Sequence, residues 1–335
     1  MDIPLNPKLL NQLIHGSAID ITDIEQAPIR SGFGEGLLIA GRTDSRVVAL
    51  CCDLTESTKM DAFAKEFPKR FFEMGIMEQS SASVASGMAA MGKVPFLSSY
   101  AMFSPGRNWE QIRTTICYND RPVKIVGSHA GVSVGPDGGT HQAIEDIALT
   151  RVIPRMVVIV PCDSIEARKA TIAMAQTNSP TYLRLARGKT PIITTEDTPF
   201  EIGKAQIFYR PEQAPVKVGI IACGALVYNA IIAAHELASE GIGAVVMNIG
   251  TIKPMDRNAV IALAKECGRI VTVEEHQVAG GMGSVVAEVL AVEHPTKMAF
   301  VGAHDKFGQS GTPEELIHYY GMDKEGIKFA VRVVL

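Results

Sequence analysis

The 335-residue sequence has no apolar run approaching the roughly 18 residues of a membrane-spanning helix, which argues against a membrane protein. Its opening stretch, Met1 to Gln12, lacks the apolar core of a signal peptide and so predicts a cytosolic protein. There is no basic block either: 32 Lys and Arg stand against 36 Asp and Glu, so no stripe of charge offers a nucleic-acid surface. The six cysteines, at 51, 52, 117, 162, 223 and 267, form no Cys-x-x-Cys pair. That spacing gives no basis for a disulfide framework or a zinc site, and predicts reduced core cysteines. No Gly-x-x-x-x-Gly-Lys-Ser/Thr segment occurs, which excludes a P-loop. Aromatic residues are few, at 6%.

What is abundant is small and aliphatic. Hydrophobic residues make up 47% and charged residues only 20%, with 30 glycines, a balance that excludes a disordered chain and suits close helix–sheet packing. The length suits two domains. Short continuous apolar runs at 47–51, 123–127, 156–160, 181–185, 218–222, 244–249 and 270–273 read as strands buried on both faces. Helical patterns at 78–91, 108–118, 141–149, 165–176, 227–239, 257–266 and 284–292 alternate with them. Strand, helix, strand in this order predicts βαβ units and an α/β fold of two doubly wound, mostly parallel sheets. A break near 188–200, with Gly-Lys-Thr-Pro and Thr-Thr-Glu-Asp-Thr-Pro, divides the chain into domains 1–192 and 193–335.

Two glycine-rich segments invite over-reading. Residues 31–36, Ser-Gly-Phe-Gly-Glu-Gly, follow no expected strand and lack the Gly-x-Gly-x-x-Gly spacing of a dinucleotide site. Residues 279–283, Ala-Gly-Gly-Met-Gly, precede a helix; they suit either an anion at its N-terminus or a tight turn packed on it. The helix after Glu78 is built of Ser, Ala and Gly, and is expected to be buried where another backbone comes close, at a subunit interface.

A denser segment spans 127–145, where a glycine-laden loop leaves a strand and carries His129, Asp137 and His141. Two histidines and an aspartate at the carboxyl end of a parallel strand suit a site, since open α/β sheets bind ligands there. Glu78 opens the small-residue helix. The helix dipole alone would favour a carboxylate there. Its apolar flanks also suit a desolvated carboxyl with a raised pKa, able to donate a proton near neutrality.

Together these residues resemble the C-terminal half of transketolase. The resemblance rests on Gly75-Ile-Met-Glu78-Gln, Asp137-Gly-Gly-Thr-His141-Gln-Ala-Ile-Glu and Arg184-Leu-Ala-Arg187, with Asp53-Leu-Thr-Glu-Ser57 and Asp305-Lys-Phe-Gly-Gln-Ser-Gly in support. It runs from about residue 25 to the end and implies a pyrimidine-binding domain followed by a transketolase C-terminal domain. The diphosphate-binding domain of that family, with Gly-Asp-Gly and a metal-binding Asn, has no counterpart in this sequence. The resemblance therefore implies one subunit of a split enzyme, active only with a diphosphate-binding N-terminal partner, in an α2β2 assembly. The partner would hold Mg²⁺ or Ca²⁺, and this chain no metal.

The resemblance also implies roles. Glu78 matches the glutamate that hydrogen-bonds N1′ of thiamine diphosphate and promotes loss of its C2 proton. Tyr100-Ala-Met-Phe103 is similar to the family's aromatic pair, with Phe103 stacking on the pyrimidine and Tyr100 beside it, though Ser104-Pro-Gly-Arg107 departs from the pattern. Asp53 belongs to the cofactor-binding set. His129 and His141 match catalytic histidines near the donor hydroxyls, and Asp137 the aspartate that reads a sugar hydroxyl. Arg30, Ser57 and Arg187 match phosphate ligands, with His129 beside them, as a sugar phosphate needs cationic forks. The implied activity is transfer of a two-carbon ketol unit from a ketose phosphate to an aldose phosphate, in the pentose phosphate pathway. A 1-deoxy-D-xylulose-5-phosphate synthase-like half enzyme shares Glu78 and the Asp-Gly-x-Thr-His segment. The β subunit of a 2-oxo acid dehydrogenase shares only length and domain order, and a non-catalytic assembly subunit would keep the fold alone.

Overall fold

The computed structural model describes residues 3–15, 21–212 and 214–335. In chain order its first strands are β1 (Gln26–Pro28), β2 (Val47–Cys51), β3 (Phe71–Glu73), β4 (Val94–Tyr100), β5 (Lys124–Ser128), β6 (Val157–Ile159), β7 (Thr181–Arg184) and β8 (Lys189–Pro191). The later ones are β9 (Gln206–Tyr209), β10 (Val216–Ala222), β11 (Gly243–Asn248), β12 (Thr251–Lys253), β13 (Arg269–Gln277) and β14 (Lys297–Ala303). One seven-stranded sheet runs β12-β6-β7-β5-β4-β2-β3 and a five-stranded sheet runs β14-β13-β10-β11-β9. Both are parallel except for β12 and β9, each antiparallel to its neighbour.

Alternation along each strand explains the double winding. On β2, Val48 and Leu50 face a core shared with Ala82, Ala85 and Ala89 of helix Glu78–Ala90. Val47, Ala49 and Cys51 face the opposite core, with Phe33 and Leu37 of helix Ile29–Thr43 and Ala167 and Ala170 of helix Ser164–Ala175. Burying each such aliphatic side chain contributes about 1.5–3 kcal/mol before entropy is counted. All six cysteines are buried and unpaired, as their spacing predicts. Among the described residues no helix is long and apolar enough to cross a membrane.

The glycines at 32, 34 and 36 are not a ligand loop, and they do follow a strand, since β1 ends at Pro28. They lie inside helix Ile29–Thr43, where a Cβ on Gly32 would sit 1.7 Å from the carbonyl oxygen of Ser164 and one on Gly36 2.7 Å from Thr171 Cβ. Glycine here lets two helices touch backbone to backbone. The turn at 279–283 is packed on its helix, and the group that accepts at the N-terminus of helix Met282–Glu293 is the protein's own Glu274. Its carboxylate accepts from the N–H groups of Met282 (2.6 Å) and Gly283 (2.8 Å).

The helix expected over 141–149 begins only at Asp146, because Ala143 first forms a bridge with Ala130 and keeps the chain extended. The small-residue helix is buried on one face only. Ser81, Ala82, Ala85, Ser86 and Ala89 are covered, whereas Ile76 and Met77 before it, Val84 on it and Met91 after it are exposed. A division at 192/193 leaves β12 on the far side of the sheet it joins, paired with β6 across the boundary.

The two sheets are further joined by a buried polar network. Arg184 Nε donates to Asp146 Oδ2 (2.8 Å) and its Nη2 to the backbone oxygens of Ala143 and Glu275. Tyr182 Oη donates to the same Asp146 oxygen at 2.7 Å. His276 Nε2 accepts from the N–H groups of Ile147 and Ala148, at the start of helix Asp146–Arg151. Burial pushes the His276 pKa down to about 4, so a neutral ring with a free lone pair is available for that task.

Candidate active site

The carboxyl ends of β2, β3, β4, β5 and β7 share one edge of the seven-stranded sheet, and the segments that leave them carry Asp53 and Ser57, Glu78, Tyr100 and Phe103, His129, and Arg187. Parallel pairing of these strands brings residues far apart in sequence to a common rim.

Glu78 is the most deeply set, only 1% exposed at the first turn of its helix. Oε1 accepts from Ser99 Oγ (3.0 Å) and Oε2 from Arg107 Nη1 (2.6 Å). Its backbone oxygen accepts from Asn108 Nδ2 at 3.1 Å. The surroundings are therefore not purely apolar, as the flanking sequence suggested, but include a cation. Arg107 Cζ also lies over the Phe103 ring, 4.6 Å from its centroid. Around Phe103 gather Tyr100, stacked at 6.4 Å, and His141, edge-on at 5.4 Å.

A second cluster adjoins this one through Tyr100, whose ring stacks on His129 at 4.0 Å. Arg30 donates from Nη1 to the Ser57 carbonyl and from Nε to the Arg187 carbonyl. The three residues expected to hold phosphate thus meet although they come from three segments. Burial lowers the Arg30 pKa from its ordinary value and Arg187 adds to that shift, but a guanidinium stays charged. Burial, then the charges of Arg30 and Arg187, push the His129 pKa down to about 3. His129 is consequently a neutral imidazole at physiological pH, held in a left-handed conformation (φ 58°) with Nδ1 against Ser128 Oγ at 2.8 Å.

The loop beyond His129 is stapled from both domains. Gln142 Nε2 donates to Val132, Gly135 and Gln309 oxygens, and Arg187 Nη1 to the Val134 oxygen. Glu275 Oε1, from β13, accepts from Ser133 N. Gly138 and Gly139 pack so closely on Ser310 and Gly308 that a Cβ on either would sit 2.7 Å from an oxygen there.

Two expected residues stand apart. Asp137 lies exposed at the far end of this loop. Asp53 is also exposed, and what anchors it is its backbone N–H donating to Glu73 Oε1 at 2.7 Å. Ser99, Arg107 and Asn108 were not singled out in the sequence. Helical spacing could not mark Arg107, because the segment that joins it to Phe103 is a non-helical turn, although its N–H bonds to the Phe103 carbonyl.

A pyrimidine cofactor needs a buried acceptor beside an aromatic face. Glu78 and Phe103 fit that need, both being touched by one guanidinium, and the buried Asn108 Oδ1 next to Glu78 has no partner among the described residues. Among the described residues no group of three or more His, Cys, Asp or Glu could hold a metal ion.

The pyrimidine binding domain model of transketolase matches residues 25–192 and the transketolase C-terminal domain model residues 210–327. A Methanocaldococcus jannaschii protein provisionally named transketolase C-terminal section is 43% identical over 89% of this chain and 93% of its own length. A 6-deoxy-6-sulfo-D-fructose transketolase subunit from a Clostridium species is 36% identical over 93% of this chain and 95% of its own. Among solved structures, a split-gene transketolase described as an inactive β4 tetramer superposes with a TM-score of 0.85. It is 41% identical, covering 92% of this chain and 98% of that one.

Proposed function

The chain belongs to the transketolase family, as its C-terminal half, and from that membership we propose that it is the pyrimidine-binding subunit of a split enzyme transferring a two-carbon ketol unit between sugar phosphates. The observation that carries the reading is Glu78, a carboxylate buried at the sheet's carboxyl edge and linked through Arg107 to the face of Phe103, on which Tyr100 stacks. Thiamine diphosphate, when bound, would supply an acidic C2 carbon able to attack a ketose carbonyl and carry the ketol fragment. Glu78 would hold N1′ of the pyrimidine, and Phe103 with Tyr100 its ring. His129, neutral, can exchange hydrogen bonds with sugar hydroxyls without adding charge. His141 lies edge-on to both Phe103 and Tyr100. Arg30 holds the backbones of Ser57 and Arg187, and its charge and that of Arg187 bear on each other and on His129, a cationic pairing that favours an anion; each guanidinium has five donors, of which carbonyls take two on Arg30 and one on Arg187.

Dependence on a diphosphate-binding partner has two supports. The similar split-gene structure is by its description an inactive β4 tetramer. The exposed Ile76 and Met77 just before Glu78, with Val84 and Met91 further along and beyond its helix, offer apolar surface that a partner would cover. The test is reconstitution. The purified chain with thiamine diphosphate and Mg²⁺ should not transfer ketol units, and adding an N-terminal subunit should restore transfer from a ketose phosphate. Full activity of the chain alone would refute the reading.

A further inference from the structure

We propose that Arg107 is a positioning residue that fixes Glu78 and Phe103 relative to one another; this rests on the reading that both meet the pyrimidine. The guanidinium does two things at once: its edge donates to Glu78 Oε2 at 2.6 Å and its face lies over the Phe103 ring at 4.6 Å. A planar guanidinium does both with separate parts, edge and face; an ammonium keeps the charge for each contact but has no flat face to stack, and so replaces it only in part. Asn108, the next residue and wholly buried, grips the other end of Glu78 through its backbone oxygen and ties that grip to Ser104 Oγ at 3.2 Å. One dipeptide thus holds the carboxylate, its backbone and the neighbouring ring. A carboxylate accepts about four hydrogen bonds. With Ser99 on Oε1 and Arg107 on Oε2, Glu78 keeps acceptor sites open for a further donor while losing the freedom to rotate away from it. Arg107 is 43% exposed, so the cation stands at the mouth and the carboxylate at the floor.

The opposite role is also chemically coherent. A guanidinium stacked on Phe103 and bonded to Glu78 makes the two contacts an aminopyrimidine would make, and could compete with it. The experiment separates the two. In the complex assembled with the partner subunit and Mg²⁺, Arg107→Gln and Arg107→Lys are compared with the unaltered chain. The measurements are thiamine diphosphate affinity by calorimetry, C2 deuterium exchange by NMR at saturating cofactor, and the thermal midpoint without cofactor. Positioning predicts a Kd about tenfold weaker and exchange slowed about tenfold or more in Arg107→Gln. It also predicts partial recovery in Arg107→Lys and a nearly unchanged midpoint, because misplacing a reacting group costs rate without unfolding anything. A Kd that is unchanged or tighter, wild-type exchange in Arg107→Gln, or Arg107→Lys as impaired as Arg107→Gln would overturn the proposal. Glu78→Gln runs alongside: slow exchange there with normal exchange in Arg107→Gln sinks this proposal alone, whereas normal exchange in Glu78→Gln sinks the cofactor reading beneath it.

Discussion

Replacing Arg187 by Ala tests the substrate half of the site, and the structure separates two consequences of the change. The first is loss of a cationic fork from the cluster with Arg30 and Ser57. A charge-assisted hydrogen bond contributes roughly 1.5–3 kcal/mol, which corresponds to a loss of about 10- to 150-fold in kcat/KM for a phosphorylated donor. The second is loss of the Arg187 bond to the Val134 oxygen, which staples the loop that carries Asp137. That bond also has a charged donor, but it acts on substrate only through the loop, so no more than part of its free energy, up to roughly tenfold, should reach kcat/KM, and every donor should feel it alike. The assay is therefore a ratio: kcat/KM for xylulose 5-phosphate against kcat/KM for hydroxypyruvate, which has no phosphate, in the assembled enzyme. The ratio should fall by about 10- to 150-fold while hydroxypyruvate alone loses no more than about tenfold, with the phosphorylated donor's loss mainly in KM. Equal losses for the two donors would refute the phosphate role and leave Arg187 as a loop staple.

Two further outcomes test the fold. Gly32→Ala should lower the thermal midpoint, since its Cβ would lie 1.7 Å from the Ser164 carbonyl and overpacking costs about 1–3 kcal/mol; Gly87→Ala, in a helix with nothing within 4 Å, should raise it slightly. Glu274 titrates at about 7 rather than its ordinary 4.5 because burial penalises its charge, so the folded state holds a proton the unfolded chain has released and this group's contribution falls as pH rises through that window. Urea unfolding should accordingly find Glu274→Gln gaining on the unaltered chain from pH 5 to pH 7.5, and a gap that does not change with pH would contradict this.

The parts of the fold legible in the sequence were those whose packing is apolar throughout. β2 coincides with its apolar run, and β10 and β11 differ from theirs by a residue or two at their ends. β13 continues past its run through Glu274, Glu275 and His276, which are buried yet polar because each serves a hydrogen-bonding task for another segment. β4 and helix Ile29–Thr43 have no counterpart among the expected elements: Pro95, Ser98 and Ser99 interrupt the apolar run of the one, and Gly32, Gly34 and Gly36 weaken the helical pattern of the other. In both cases tertiary approach overrides local propensity. At the site, Glu78, the aromatic pair and the arginine cluster could be named from motifs. Arg107 could not, because its role depends on two residues that only the folded chain brings beside it.

The strand lent by the second domain, β12, has a consequence for how this chain can be handled and how it can diverge. Without it, β6 would present an unpaired row of amides and carbonyls at the end of a seven-stranded sheet, a template for joining another chain edge to edge. The pyrimidine-binding portion therefore does not end where its last motif ends. Cutting after the linker would remove the strip that seals it, together with the Glu275 and His276 braces on its loop and helix. Selection on the second domain can thus act through cooperativity and solubility as well as chemistry.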